Sequence, residues 1–84
     1  MFSRKRNLLF VFDKEKRISL HNFFVFFPID LVFLDKNRRI IEIKHNFKPF
    51  TFYKSKNNVK YVLELTEKNN YKIGEKIIFP PISF

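Results

Sequence analysis

Apolar positions along this chain fall into short runs, and the polar clusters between them read as turns. Residues 8–12, Leu-Leu-Phe-Val-Phe, form the first run, and Asp13, Lys14, Glu15, Lys16 and Arg17 follow as a charged connection. Residues 18–27 read as a second strand that ends at Pro28, which has no N–H to give to a sheet ladder. Residues 30–35 read as a third. Residues 39–45 run back antiparallel to it through Asp35, Lys36, Asn37 and Arg38, where Asp accepts local backbone bonds and Asn tolerates a left-handed conformation. On the return strand Ile41, Ile43 and His45 share one face, and Ile40, Glu42 and Lys44 the other, because the side-chain period is two. Residues 47–53 are extended and contain Pro49, which suits an edge or a rim. Residues 55–58 form a loop. Residues 59–65 alternate, with Val59, Tyr61, Leu63 and Leu65 inward and Lys60 and Glu64 outward. Thr66 can cap one helical turn over 66–70. Residues 73–76 turn on Gly74, the one glycine, into a strand over 77–79 that Pro80 and Pro81 end.

Strand formers dominate, and apolar residues rarely recur at helical spacing. The expected architecture is mainly β: a small, partly closed antiparallel barrel-like domain of about six or seven strands with at most one short helix.

At 84 residues the chain makes one domain, spanning 1–84. Such a chain buries only about 60–65% of its unfolded surface. Its 13 Phe fill a dense core and leave aromatic surplus for the surface, which a partner or a second copy often covers. The absence of Cys excludes a disulfide framework, a thiolate zinc site and a Cys nucleophile. Residues 1–6 are basic, yet the apolar run at 8–12 is too short for the core of a secretion signal. A cytoplasmic location is expected, since nothing here needs an oxidising compartment. The apolar run 23–34 falls well short of the ~20 residues a membrane-spanning helix needs, and it holds Pro28 and Asp30, so no membrane insertion is expected.

The net charge of +9 comes from 17 Lys and Arg against 8 Asp and Glu, and a basic surface draws phosphate-bearing or other acidic partners. The abundance of Phe, Ile, Lys and Asn with no Ala also matches an A/T-rich coding sequence, which explains much of the charge without any partner.

Three groups of side chains carry candidate chemistry. Asp30 interrupts an apolar run, and a buried carboxylate is expensive unless something pairs with it. Its functional reading is a general base or ligand anchor, with the pKa raised by desolvation. Its structural reading, the commoner one, is a pin that accepts backbone N–H bonds near the Pro28 bend or pairs with a cation. The second group is His21 and His45. A metal site needs about three or four ligands, which these residues do not supply, so no metal and no cofactor are expected. Hydrogen-bonded, partly buried His is their ordinary role, and an acid–base pair of one His with Asp30 is the alternative. The third group is residues 47–56, where aromatics and Lys interleave. Lys48, Phe50, Phe52, Tyr53, Lys54 and Lys56 are candidate nucleic-acid contacts, since exposed rings stack bases and Lys holds phosphates. The competing reading is an edge strand with Phe50 and Phe52 tucked inward and Lys guarding the edge. Glu42 and Glu64 read as outward salt-bridge partners. One Gly cannot build a phosphate loop, and no Ser stands in a nucleophile elbow.

Three stretches carry a family resemblance: His21 through Pro28, Ile29 and Asp30 into Phe33, Leu34 and Asp35; the segment Tyr61, Val62, Leu63, Glu64 and Leu65; and the segment from Lys72 through Gly74 to Ile77. In this order and spacing they resemble domain of unknown function family 192, and residues 8–12 are similar to a strand ahead of that family's core motif. The match covers most of residues 8–79. The resemblance implies a compact β-rich, barrel-like domain and no activity. It places Pro28, Asp30, Leu63, Glu64 and Gly74 at motif positions. Members usually have Gly where this chain has Arg38, which leaves Asn37 to supply any positive φ. Members also usually have a further strand upstream, whose absence exposes a pairing edge, and a homodimer covering that edge is expected. Three function classes follow: a non-enzymatic binding module for a small molecule or partner, with its pocket near Asp30; a nucleic-acid-binding protein using the basic aromatic surface; and an enzyme using Asp30 with a His.

Overall fold

Val, Ile, Phe and Tyr pack well on a pleated surface, and they build six strands in a computed structural model that describes residues 8–21, 28–66 and 69–78. The strands are β1 (Leu8–Lys16), β2 (Ser19–His21), β3 (Ile29–Leu34), β4 (Ile40–Phe47), β5 (Phe52–Lys54) and β6 (Val59–Leu65). An antiparallel sheet has the order β1-β6-β3-β4, and β2 and β5 pair as a separate antiparallel ribbon. The expected barrel is therefore corrected. Among the described residues the sheets stay open, with β1 and β4 as the ends of the larger one. A barrel needs an unbroken ladder around its circumference. Here β4 gives way to a turn at Pro49 and Phe50 before β5 begins, and β1 loses regular register with β6 between Val11 and Lys16.

No helix occurs among the described residues. Thr66 lies in a bend, and residues 67–68 of the expected helical turn fall outside the described chain, as do residues 22–27 of the expected second strand and Phe79 of the expected last one. Ile77 and Ile78 are not in a strand, although Lys76 forms an isolated antiparallel bridge with Arg39. The charged stretch 13–16 continues β1 rather than leaving it. Its polar groups find partners there: Lys60 Nζ donates to the Asp13 carbonyl at 2.9 Å, and Glu15 Oε2 accepts the Lys36 N–H at 2.8 Å. No described helix is long and apolar enough to cross a membrane.

The continuous apolar run of β3 reflects burial on both faces. Ile29, Leu31 and Phe33 pack with Ile18, Phe47, Val59 and Val62 and with Leu20 and Tyr53 of the ribbon. Val32 and Leu34 face the other way, against Ile40 and Leu65 and against Tyr71 and Ile77 from the segment after β6. The strand β6 is likewise two-sided. Val62 is fully buried on the ribbon side, while Tyr61, Leu63 and Leu65 pack on the other.

Two hairpin features show why local chemistry decides turns. Asp35 N–H donates to Arg39 O and Arg38 N–H to Asp35 O, both at 3.0 Å, and Asp35 Oδ1 accepts the N–H groups of Asn37 and Arg39. This leaves a three-residue loop, whose last position is left-handed. Arg38 therefore takes the positive φ of 67°, not Asn37 as expected. Gly74, with φ 91°, stands third in the turn closed by Glu75 N–H to Lys72 O, where a type II turn needs Gly.

Candidate binding site at the end of β4

Two irregularities shape β4. Phe33 pairs with Glu42 but Leu34 with Ile40, and Leu31 pairs with Lys44 but Ile29 with Phe47. Each shift marks an extra residue on β4, which re-aims the side chains that follow. The simple alternation expected for β4 is thereby corrected. Ile40 and Ile43 pack on one face of the sheet, and Ile41 packs on the other.

At the second irregularity His45 and Asn46 lie opposite Asp30. The Asp30 carboxylate accepts the Asn46 N–H at 3.1 Å, sits 3.0 Å from His45 Nδ1, and accepts Asn69 Nδ2 at 3.1 Å. Asn46 has φ 56°, a left-handed conformation that Asn tolerates better than most residues. Burial raises the Asp30 pKa, but the bonds from Asn46, His45 and Asn69 and the charge of His45 outweigh it, so the net shift is downward. The raised pKa expected for a general base is corrected. An ionised carboxylate can only accept, so His45 donates from Nδ1. The structure brings Asp30 together with His45. Pro28 stands exposed just before β3, and Gly74 lies in its own turn, where Arg39 Nη1 reaches its carbonyl at 3.2 Å. His21 pairs through its backbone with Phe52.

A second carboxylate holds the other side of this region. Glu42 is buried and accepts Tyr53 Oη, the Lys56 N–H at 2.9 Å, and both the N–H and Nδ2 of Asn57 at 3.1 Å. Its expected role as an outward salt-bridge partner is corrected. Burial raises its pKa, and the bonds from Tyr53, Lys56 and Asn57 bring it below the ordinary value. Burial, reinforced by Glu42, pushes the Tyr53 hydroxyl up to about 12. Ser55 completes the anchor: its Oγ accepts the Ile18 N–H at 2.9 Å and donates to Asn57 O at 2.8 Å, and its carbonyl accepts Arg17 Nε. Buried polar groups with this many partners fix a loop in one geometry. Glu64, expected outward, is half-buried, and burial alone pushes its carboxyl up.

These anchors frame a cleft of about 310 Å³ at the end of β4, lined by residues 44–48 and 51–53. Lys44 Nζ stands 5.7 Å above the Tyr53 ring, within cation–π range. The turn that forms one wall is closed by Thr51 Oγ1 donating to Lys48 O at 2.6 Å. Of the six aromatic and Lys candidates, Lys48, Phe52 and Tyr53 line the cleft, while Phe50, Lys54 and Lys56 lie beyond it on the exposed surface. Tyr53 packs into the core against Phe33, with ring centroids 5.7 Å apart. Phe50 and Phe52 are 65% and 69% exposed, which corrects the picture of both rings tucked inward. Lys44, Asn46, Thr51 and Glu42 were not among the candidates. Only the fold of β4 and of the turn after it makes them part of the site. Among the described residues no group of three or more His, Asp and Glu side chains could hold a metal ion.

Comparison with known proteins agrees with the fold. The model of the DUF192 family, described as Uncharacterized ACR, matches residues 1–78. A UPF0127 protein of Pyrococcus horikoshii is 36% identical over 84 residues, covering 92% of this chain and 72% of that protein. One of Thermococcus sibiricus is 34% identical over 76 residues, covering 83% of this chain and 49% of the relative. A crystal structure from Sinorhizobium meliloti 1021, presented as a candidate transcription regulator, superposes with a TM-score of 0.68 at 25% identity over 77% of this chain and 52% of that one. A protein of unknown function from Novosphingobium aromaticivorans gives 0.66 at 19% identity, with coverage of 77% and 48%. The chain thus spans about half the length of the Thermococcus relative and of both solved chains.

Proposed function

The chain belongs to the DUF192 family, and from that premise we propose that it is a non-enzymatic binding module whose cleft at the end of β4 takes a small anion bearing a flat apolar part. The lining carries this reading. Lys44 and Lys48 offer positive charge, Phe52 offers an exposed ring, and the volume of about 310 Å³ lies in the small-molecule range of roughly 300–1,000 Å³. The three bonds of Asp30 tie β3 to β4 and to the segment after β6, so its carboxylate supports the site from behind. The 3.0 Å approach of His45 to Asp30 is what an enzyme reading would rest on, yet the other two bonds of that carboxylate go to structural amides. The Sinorhizobium protein's description as a candidate transcription regulator is compatible with binding rather than turnover.

The test is calorimetric titration with adenosine monophosphate and with phenyl phosphate at low salt. The Lys44→Ala/Lys48→Ala double variant is expected to bind both probes about tenfold or more weakly, since charged hydrogen bonds contribute about 1.5–3 kcal/mol each. Absence of binding to the wild-type protein, or equal binding by the double variant, overturns the reading. The partner we propose is a second copy of the chain, paired along β1.

A further inference from the structure

The outward face of the β2–β5 ribbon continues the cleft. Along β5, Tyr53 turns inward to the core while Phe52 and Lys54 share the opposite, exposed face. Exposed Lys48 and Phe50 precede them, and exposed Lys56 follows. Residues 48–58 hold three Lys and no Asp or Glu. Beneath them, Glu42 is buried and taken up by Tyr53, Lys56 and Asn57. Arg17 is drawn to the same place by its bond to the Ser55 carbonyl at 3.1 Å. An A/T-rich coding sequence accounts for the frequency of Lys and Phe. It does not account for an acid-free stretch whose strand β5 sets Phe52 and Lys54 on one exposed face.

The backbone at Phe50 adds a second, independent observation. Its φ is 61°, and a bulky non-glycine residue in that region is an outlier. Strain of this kind costs about 1–3 kcal/mol and tends to persist at binding surfaces. Here it accompanies a ring that is 65% exposed.

We infer that this face binds single-stranded nucleic acid, with bases stacking on Phe52 and Phe50 and phosphates following Lys48, Lys54 and Lys56 away from the cleft. The inference rests on the anion-binding reading of the cleft and names its ligand class. Single strands fit better than duplex, because a ring can stack only on a base already out of its own stack.

The test is fluorescence anisotropy with a labelled oligothymidylate of ~10 nucleotides, a length within the range single-strand binding modules cover, beside the same duplex-paired strand, thymidine monophosphate and heparin. The wild-type protein is expected to bind the single strand at least tenfold tighter than the mononucleotide, and more tightly than duplex. Phe50→Ala and Phe52→Ala should each weaken oligonucleotide binding about fivefold or more, the equivalent of one lost stack, while leaving mononucleotide binding within twofold for Phe50→Ala. Circular dichroism establishes that each variant is folded, and Phe52→Leu serves as a milder second variant. The inference is overturned by oligonucleotide affinity no greater than that for the mononucleotide, by aromatic variants that bind like wild type, or by equal binding of heparin, single strand and duplex. Any of these results with mononucleotide binding retained leaves the cleft reading standing. Loss of all anion binding by the wild-type protein removes both.

Discussion

Asp30 connects three stretches of chain through one carboxylate: its own strand β3, the irregular end of β4 at His45 and Asn46, and Asn69 in the segment after β6. That it needs partners is legible in the sequence, because an acid within Ile29, Leu31, Val32, Phe33 and Leu34 cannot stay unpaired. Which partners it finds is not, since they lie 15 to 39 residues away. The downward pKa shift means the unfolded chain binds more protons than the folded one as pH passes below the ordinary value of 3.8. The stability Asp30 contributes is therefore fully present above that value and lost as pH falls through the lowered folded value. Asp30→Asn is expected to lower stability by about 2 kcal/mol at neutral pH, the worth of its charged hydrogen bonds. The deficit relative to wild type should shrink in acid. Urea unfolding at a series of pH values measures both, and a deficit independent of pH would contradict the account.

Each β-element is set by its pattern and then adjusted by its neighbours. The β3–β4 hairpin, its polar turn and the Gly74 turn all follow from residues adjacent in sequence. The irregularities of β4 do not, because they answer to what stands across the ladder. Glu42 looks outward by alternation, yet the register shift aligns it with Phe33 and beneath the 55–58 loop. There it accepts from Tyr53, Lys56 and Asn57. In the β3–β4 loop the left-handed position falls to Arg38, which costs about 1 kcal/mol relative to Gly. Arg38→Gly keeps both backbone bonds of the loop and is expected to raise the thermal midpoint by about 4–8 °C, the shift that 1 kcal/mol brings in a domain of this size. Differential scanning calorimetry checks it, and a lowered midpoint would show that the Arg38 side chain matters more than its backbone strain.

At the scale of the molecule, the four-stranded sheet is covered on one face by the ribbon and on the other by Tyr71 and Ile77. Its β1 end has no further strand among the described residues. Leu8, Phe10 and Val11 of that end strand are 37–38% exposed. An antiparallel copy of β1 centred on Phe12 pairs the strand over its whole length, setting Leu8 against Lys16 and Phe10 against Lys14. Small-angle scattering over a concentration series is expected to show a dimer, and Phe10→Lys, which places charge on the exposed edge, should return the monomer. A monomer at every concentration in the wild-type protein would exclude this pairing.

The sequence by itself determined the strand-rich class, the β3–β4 hairpin, the Gly74 turn, the family and the need for Asp30 to be paired. These rest on interactions within a few residues or on a motif read in order. Only the tertiary structure decided that the sheets stay open among the described residues and that Glu42 is buried. It also decided that Asp30 meets His45 and Asn69, and that Phe50 and Phe52 stand outside the core. Those outcomes depend on register, and register is chosen by the summed burial of whole strands against one another. No single run of residues carries that information.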